Sequence, residues 1–247
     1  MVGVTVDWRP DSNPGIIQAV ELAAMEDLEM KLYWVFDVIS PFAYLGVKQL
    51  PRLPTNADLT VVPVLFAGLL NHHGQVGNAE IESKRRFTYR FALWRARKMG
   101  VPMRIPPAHP FNPLHALRLV VAAGSTHRAA ETALDFVFQQ GRDVTDPDVL
   151  TDLARQLGID DAGAALGDAR IKQQLRDNTD WAIAQGVFGV PTFVIDGELF
   201  WGHDAFEMVL DYLRDPQQFA DEEMRRIDHL PVGVVRPRRI PREPQRS

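Results

Sequence analysis

Asp37-Val38-Ile39-Ser40-Pro41-Phe42-Ala43-Tyr44 is the stretch on which the fold turns. It follows Leu32-Tyr33-Trp34-Val35-Phe36, an unbroken aromatic and β-branched run that predicts a buried strand. Pro41 suits the first turn of a helix, because its ring presets φ and its missing N–H has no partner to lose there. Ser40 is then the N-cap, with its hydroxyl among unpaired backbone N–H groups at the positive end of the helix dipole. Such a hydroxyl either caps the helix and does nothing more, or helps to hold an anion. The residues leave both readings open.

Working outward, the helix from Pro41 runs to about Leu50 and is closed by Pro51 and Pro54. Leu59-Thr60-Val61-Val62-Pro63-Val64-Leu65 reads as a second buried strand, with Pro63 marking its end or a sheet edge. Strand, helix and strand at this spacing make a βαβ unit, so an α/β architecture is expected. Residues 67–179 carry helical patterns only: 79–99, 114–123, 128–140, 147–157 and 171–185, broken by Gly100, Gly124, Gly141 and Gly158. The strand signal returns at Thr192-Phe193-Val194-Ile195. Asp196-Gly197 separates it from Glu198-Leu199-Phe200-Trp201, which predicts a hairpin. A last helix spans 205–213. Residues 1–30 read as an appendage with a short helix at 16–28, and residues 216–247, rich in Arg and Pro, are expected to be mostly disordered.

Composition narrows the chemistry. The net charge of −5 argues against nucleic acid as a partner, and no apolar run approaches the roughly 18 to 20 residues of a membrane span. The first thirty residues lack a secretory pattern, so the cytoplasm is the expected compartment. Cysteine is absent, which removes disulfides, thiolate metal ligands and any thiol carried by the chain itself. His72-His73 has no ligand partners at useful spacing, so no metal is assigned. Lys84, Arg85, Arg86, Arg90, Arg95, Arg97 and Lys98 crowd one helix and read chiefly as a solvated charged face. Trp94, Trp181 and Trp201 are expected in the core, with Trp201 alternatively beside a pocket.

The pattern is that of a thioredoxin-like α/β fold split by an inserted helical domain. Residues 31–66 and 180–215 would form the discontinuous domain, and residues 67–179 the insert. Together with Ser40-Pro41-Phe42-Ala43-Tyr44, Phe111-Asn112-Pro113, Gly186-Val187-Phe188-Gly189-Val190-Pro191-Thr192-Phe193 and Phe200-Trp201-Gly202-His203-Asp204, the chain resembles the 2-hydroxychromene-2-carboxylate isomerases over about residues 30–213. That family is related to kappa-class glutathione transferases and DsbA-like oxidoreductases. This chain departs from it in having Val38 at an aromatic position, Phe42 in place of tyrosine and Ala205 in place of arginine.

Oxidoreductases of this fold place a Cys-x-x-Cys at the first helix, and Ser40 stands where the first thiol would be. The resemblance implies that glutathione supplies the thiol as cofactor, with Ser40 as the catalytic residue that favours its thiolate. It also implies a cis Pro191, leaving the backbone of Val190 open to an extended peptide, against the alternative that Pro191 is only a turn residue. His203 and Asp204 would receive carboxylate and ammonium groups of the tripeptide; Asp204 read from the residues alone is equally a capping acid. Lys84, Asn78 and Asn112 would meet the substrate, Lys84 also the cofactor. The implied activity is glutathione-dependent cis-trans isomerisation of an aromatic 2-oxo acid by a homodimer. The alternatives are a kappa-like glutathione transferase and a non-catalytic binding protein of the same fold.

Overall fold

The computed structural model describes residues 30–234. The expected helix at 16–28 and the arginines from Arg236 onward lie outside them. Strand β1 (Lys31–Phe36) leads through residues 37–40 into helix α1 (Pro41–Val47), and β2 (Asp58–Pro63) returns parallel to β1. After the helices come β3 (Thr192–Ile195), antiparallel to β1, and β4 (Glu198–Trp201), antiparallel to β3. The order is β2-β1-β3-β4, so β2 is an edge strand that ends at Pro63, where a missing N–H costs no ladder bond. Asp196 and Gly197 both have positive φ (52° and 88°), the twist that a two-residue hairpin turn requires.

Between β2 and β3 lie α2 (Phe66–His73), α3 (Glu82–Met99), α4 (Leu114–Ala122), α5 (His127–Phe138), α6 (Pro147–Gln156), α7 (Ala162–Gly167) and α8 (Ala169–Ala184). Two of these, α2 and α7, have no counterpart among the helical patterns above. α2 follows its strand with no capping residue, Leu65 occupying the N-cap; α7 is six residues of Ala, Gly and Leu and has no periodicity to read. Tertiary bonds replace local signals at α2. Phe66 N–H donates to the Asp37 carboxylate (2.8 Å), and Leu65 N–H donates to Thr179 Oγ1 (3.1 Å).

Val35, Val62, Val64, Leu69, Ala182, Val187, Val190 and Val194 form a core cluster joining the sheet, α2, α8 and the loop before β3. Burying each of the Val and Leu side chains contributes roughly 1.5–3 kcal/mol. His203 to Ala205 make a 3-10 turn before helix α9 (Phe206–Arg214). The described chain forms two compact units, the first ending at Leu210 and the second beginning at Asp211. In the second, the stretch expected to be mostly disordered holds a 3-10 turn (Pro216–Phe219) and helix α10 (Glu222–Ile227). Their signals are local: Asp215 and Asp221 each accept a hydrogen bond from a first-turn N–H, and Tyr212 and Phe219 pack ring to ring at 5.6 Å. No helix among the described residues is long and apolar enough to cross a membrane.

Candidate active site at the start of α1

Ser40 is almost fully buried. Its Oγ accepts from Ala43 N–H (3.2 Å) and donates to the Val190 carbonyl (3.2 Å). The Val190–Pro191 peptide is cis, and Pro191 lies against α1, where a Cβ on Gly46 would come 3.4 Å from its ring. The Pro191 carbonyl accepts from Gly202 N–H (2.8 Å), which draws the His203 turn to the same place. The circuit closes through Phe42, whose ring stacks on His203 at 5.1 Å and 8°. Three segments of the chain thus meet at one helix N-terminus.

Beneath Ser40 lies Asp37, with no exposed surface. Its two carboxylate oxygens accept from Ile39 N–H (3.0 Å) and Phe66 N–H (2.8 Å). Burial pushes its pKa up to about 7, against the lowering effect of those N–H groups. The Ile39 carbonyl faces the other way and accepts from His109 Nε2–H (2.7 Å), so the neutral imidazole takes the Tyr89 hydroxyl (2.5 Å) at Nδ1. Burial lowers the pKa of His109; the Ile39 bond opposes this and the Arg85 charge reinforces it. The loop carrying Ser40 is therefore held from the sheet side by Asp37 and from the helical side by His109.

Residues 31–214 match the DSBA-like thioredoxin domain family. The chain belongs to this family. Among curated relatives it is similar to a glutathione S-transferase kappa 2 of Caenorhabditis elegans, 26% identical over 211 residues that span 73% of this chain and 90% of that protein. It is also similar to a 2-hydroxychromene-2-carboxylate isomerase of Sphingobium xenophagum, 28% identical over 187 residues, 73% of this chain and 96% of that one. Among solved structures it superposes on a 2-hydroxychromene-2-carboxylate isomerase with a TM-score of 0.66 at 25% identity, covering 78% of this chain and 98% of that one. The DsbA-like thioredoxin fold is thereby shown, and its helices between β2 and β3 bring α3 and the Pro-rich connector that follows it, residues 102–113, to the Ser40 loop.

Within this DsbA-like frame the residues singled out from sequence are placed unequally. Ser40, Val190, Pro191 and His203 converge, and Asp204 lies beside them with its side chain 68% exposed. The His203 imidazole is buried. Its Nε2 accepts from Arg95 Nε–H (3.1 Å), because a guanidinium can only donate; the proton then sits on Nδ1, 3.8 Å from the Asp204 carboxylate. Burial lowers the His203 pKa, with Asp204 opposing and Arg95 reinforcing. Lys84, Asn78 and Asn112 are exposed, and Asn112 Oδ1 accepts from Leu114 N–H (3.0 Å) just before α4. Lys84 shares the stripe 84-88-91-95 of α3 with Phe91 and Arg95, the two residues of that helix that reach His203.

Three residues of this site had no role in the sequence reading. Asp37 and His109 carry no local signal of a role, and Arg95 reads as one more cation of a solvated charged face. Arg95 is instead half-buried on His203, since the 4-3-4 spacing turns it toward α1. The tryptophan expectation also changes: Trp94 and Trp201 are 49% and 53% exposed. Trp201 covers Gly189 so closely that a Cβ there would collide with the indole Nε1, which places the ring beside the Val190 loop. Among the described residues no cluster of three His, Asp or Glu is positioned to hold a metal.

Proposed function

We propose that the chain is a glutathione-dependent cis-trans isomerase. Its substrates would be 2-hydroxychromene-2-carboxylate-like products of aromatic ring cleavage, converted to hydroxybenzylidenepyruvate-type 2-oxo acids. The observation that carries this reading is Ser40: a buried hydroxyl at a helix N-terminus, against Val190, in a protein with no cysteine of its own. Bound glutathione would supply the thiolate that adds to a conjugated double bond, permits rotation and is eliminated again.

The residues fit that group. The Ser40 hydroxyl and the Val190 carbonyl satisfy each other as the structure stands. Rotation of the hydroxyl toward a sulfur anion frees that carbonyl to accept from an extended peptide, a strand-addition mode. The α1 N-terminus and the hydroxyl both favour thiolate over thiol; the dipole contributes roughly 0.3–1 kcal/mol and a hydrogen bond to a charged group about 1.5–3. Asp204 is exposed and offered to an ammonium group, Lys84 to a carboxylate of cofactor or substrate, and Asn78 and Asn112 to developing charge on the 2-oxo acid. A homodimer in the cytoplasm completes the proposal, as the resemblance implies.

The similarity to kappa glutathione transferases supports a second reading, transfer of glutathione to an electrophile. The deciding experiment is titration of glutathione with the protein, followed by ultraviolet thiolate absorbance, then chromatography of products from a hydroxybenzylidenepyruvate. Thiolate formation with glutathione recovered intact supports the isomerase; consumed glutathione supports the transferase. A binding protein without chemistry would leave the substrate unchanged.

A further inference from the structure

Among the described residues Arg95 lacks the carboxylate partner that some arginines of this fold have. Arg52 pairs with Glu207 and Arg142 with Asp152, both at 2.8 Å, so each charge is met by a carboxylate. Arg95 is half-buried on α3 and its only hydrogen-bond partner among the described residues is the uncharged Nε2 of His203. Asp204 faces the opposite nitrogen of that imidazole. One N–H of the guanidinium is thus used to fix its position, and the charge and the two terminal NH2 groups are left over. A partly desolvated cation without an anion is costly to keep, and a planar fork suits a carboxylate.

The surroundings say what kind of carboxylate. Phe91 stacks with Phe87 (5.8 Å, 9°) and with Trp94 (5.8 Å, 24°), giving a row of three rings along α3. The row meets Phe42 at 6.0 Å and His203 at 6.5 Å through Phe91. Phe87 and Trp94 are 67% and 49% exposed, which leaves unburied a sizeable aromatic surface that water solvates poorly. Only small residues, Ala92 and Ala96, are fully buried on this helix, so the exposed Phe87 and Trp94 rings are surplus to its packing.

We propose that Arg95 and the Phe87–Phe91–Trp94 row form a binding site for a planar aromatic carboxylate: the acid on the guanidinium fork that His203 orients, the ring on the aromatic row. This deepens the isomerase reading and rests on it for the substrate's identity. It also divides the anions. Lys84 stands eleven residues before Arg95, about 16 Å along the helix, too far to share one carboxylate. The substrate's acid goes to Arg95, and Lys84 is left for the cofactor. His203 acts here as a positioning residue, holding Arg95 through Nε2.

The test is calorimetric titration of the full chain, without glutathione, with cinnamate and with its uncharged counterpart cinnamamide. Cinnamate is expected to bind, cinnamamide to bind at least tenfold more weakly, and R95Q to lower cinnamate affinity about tenfold to a hundredfold while leaving cinnamamide unchanged. R95K retains the charge without the fork and is expected to fall between. Phe91→Leu is expected to weaken both ligands alike, and unfolding curves of each variant establish that it is folded. Absence of cinnamate binding, equal binding of acid and amide, or full affinity in R95Q overturns the proposal. So does a change of oligomeric state in Phe87→Ser with cinnamate affinity intact, which would make the row a contact between copies. The two readings fail separately. Arg95-dependent cinnamate binding with no glutathione thiolate formed sinks the isomerase alone; thiolate formed with Arg95 irrelevant to cinnamate sinks this site alone.

Discussion

Replacing Asp37 with Asn should reverse in effect between acidic and neutral pH. In the protein the Asp37 carboxyl is buried and its pKa stands near 7, against 3.8 for the free group. Each tenfold change in proton affinity is about 1.36 kcal/mol, so the difference corresponds to roughly 4 kcal/mol. The sign follows from proton counts. Between those two values the folded protein holds a proton on Asp37 that the unfolded chain has lost, so stability falls as pH rises through this window and the loss is complete above about 7. Asn cannot ionise, but its amide replaces one acceptor of the pair that now receives Ile39 N–H and Phe66 N–H, at a cost of about 1–3 kcal/mol. Asp37→Asn should therefore be less stable than the natural protein at about pH 4, reach parity between about pH 4.5 and 6, and be more stable at about pH 8. Urea unfolding of both proteins at intervals of about one pH unit across that range measures this. His109 and His203, with lowered pKa values, change stability in the opposite direction with pH, but they are common to both proteins and cancel in the difference. A stability difference that stays constant from about pH 4 to about pH 8 would refute the reasoning.

Three further substitutions read other parts of the structure. Ser40→Ala should raise the pKa of bound glutathione and lower turnover roughly tenfold to a hundredfold, the share of a hydrogen bond to an anion; identical pH–rate profiles would remove Ser40 from the chemistry. Gly189→Ala forces a methyl group against the Trp201 indole, so it should cost about 1–3 kcal/mol and shift tryptophan emission, and an unchanged spectrum would count against that packing. Thr179→Val removes the acceptor of Leu65 N–H at the entry to α2 while filling the same volume. A loss of about 1–3 kcal/mol is expected in denaturant unfolding, and none at all would mean that water takes over the bond.

What could be read directly were the features whose cause is local. The β1 run, Ser40-Pro41 opening a helix, Pro63 at the end of an edge strand and Asp196-Gly197 between two strands each act through backbone geometry within a few residues, and each appears where its chemistry demands. The same holds for the missing thiol, since an absence of cysteine needs no coordinates. α2 went unread because its cap is supplied by Asp37 and Thr179, 29 and 114 residues away from the N–H groups they receive.

The division is clearest at Ser40 itself. Sequence determined that a hydroxyl would cap a helix at the end of a buried strand, because capping involves only neighbours three residues apart. It also determined that no thiol in the chain could take over there. Only the tertiary structure decided that this hydroxyl would face Val190 across 150 residues, that His109 would hold the preceding carbonyl across 70, and that Arg95 would find His203 across 108. Periodicity reports which face of an element is apolar, and is blind to which polar side chain on one element meets which on another. Those pairings are set when the sheet and helices pack, where the requirement that each buried donor find an acceptor selects among side chains that look alike in sequence.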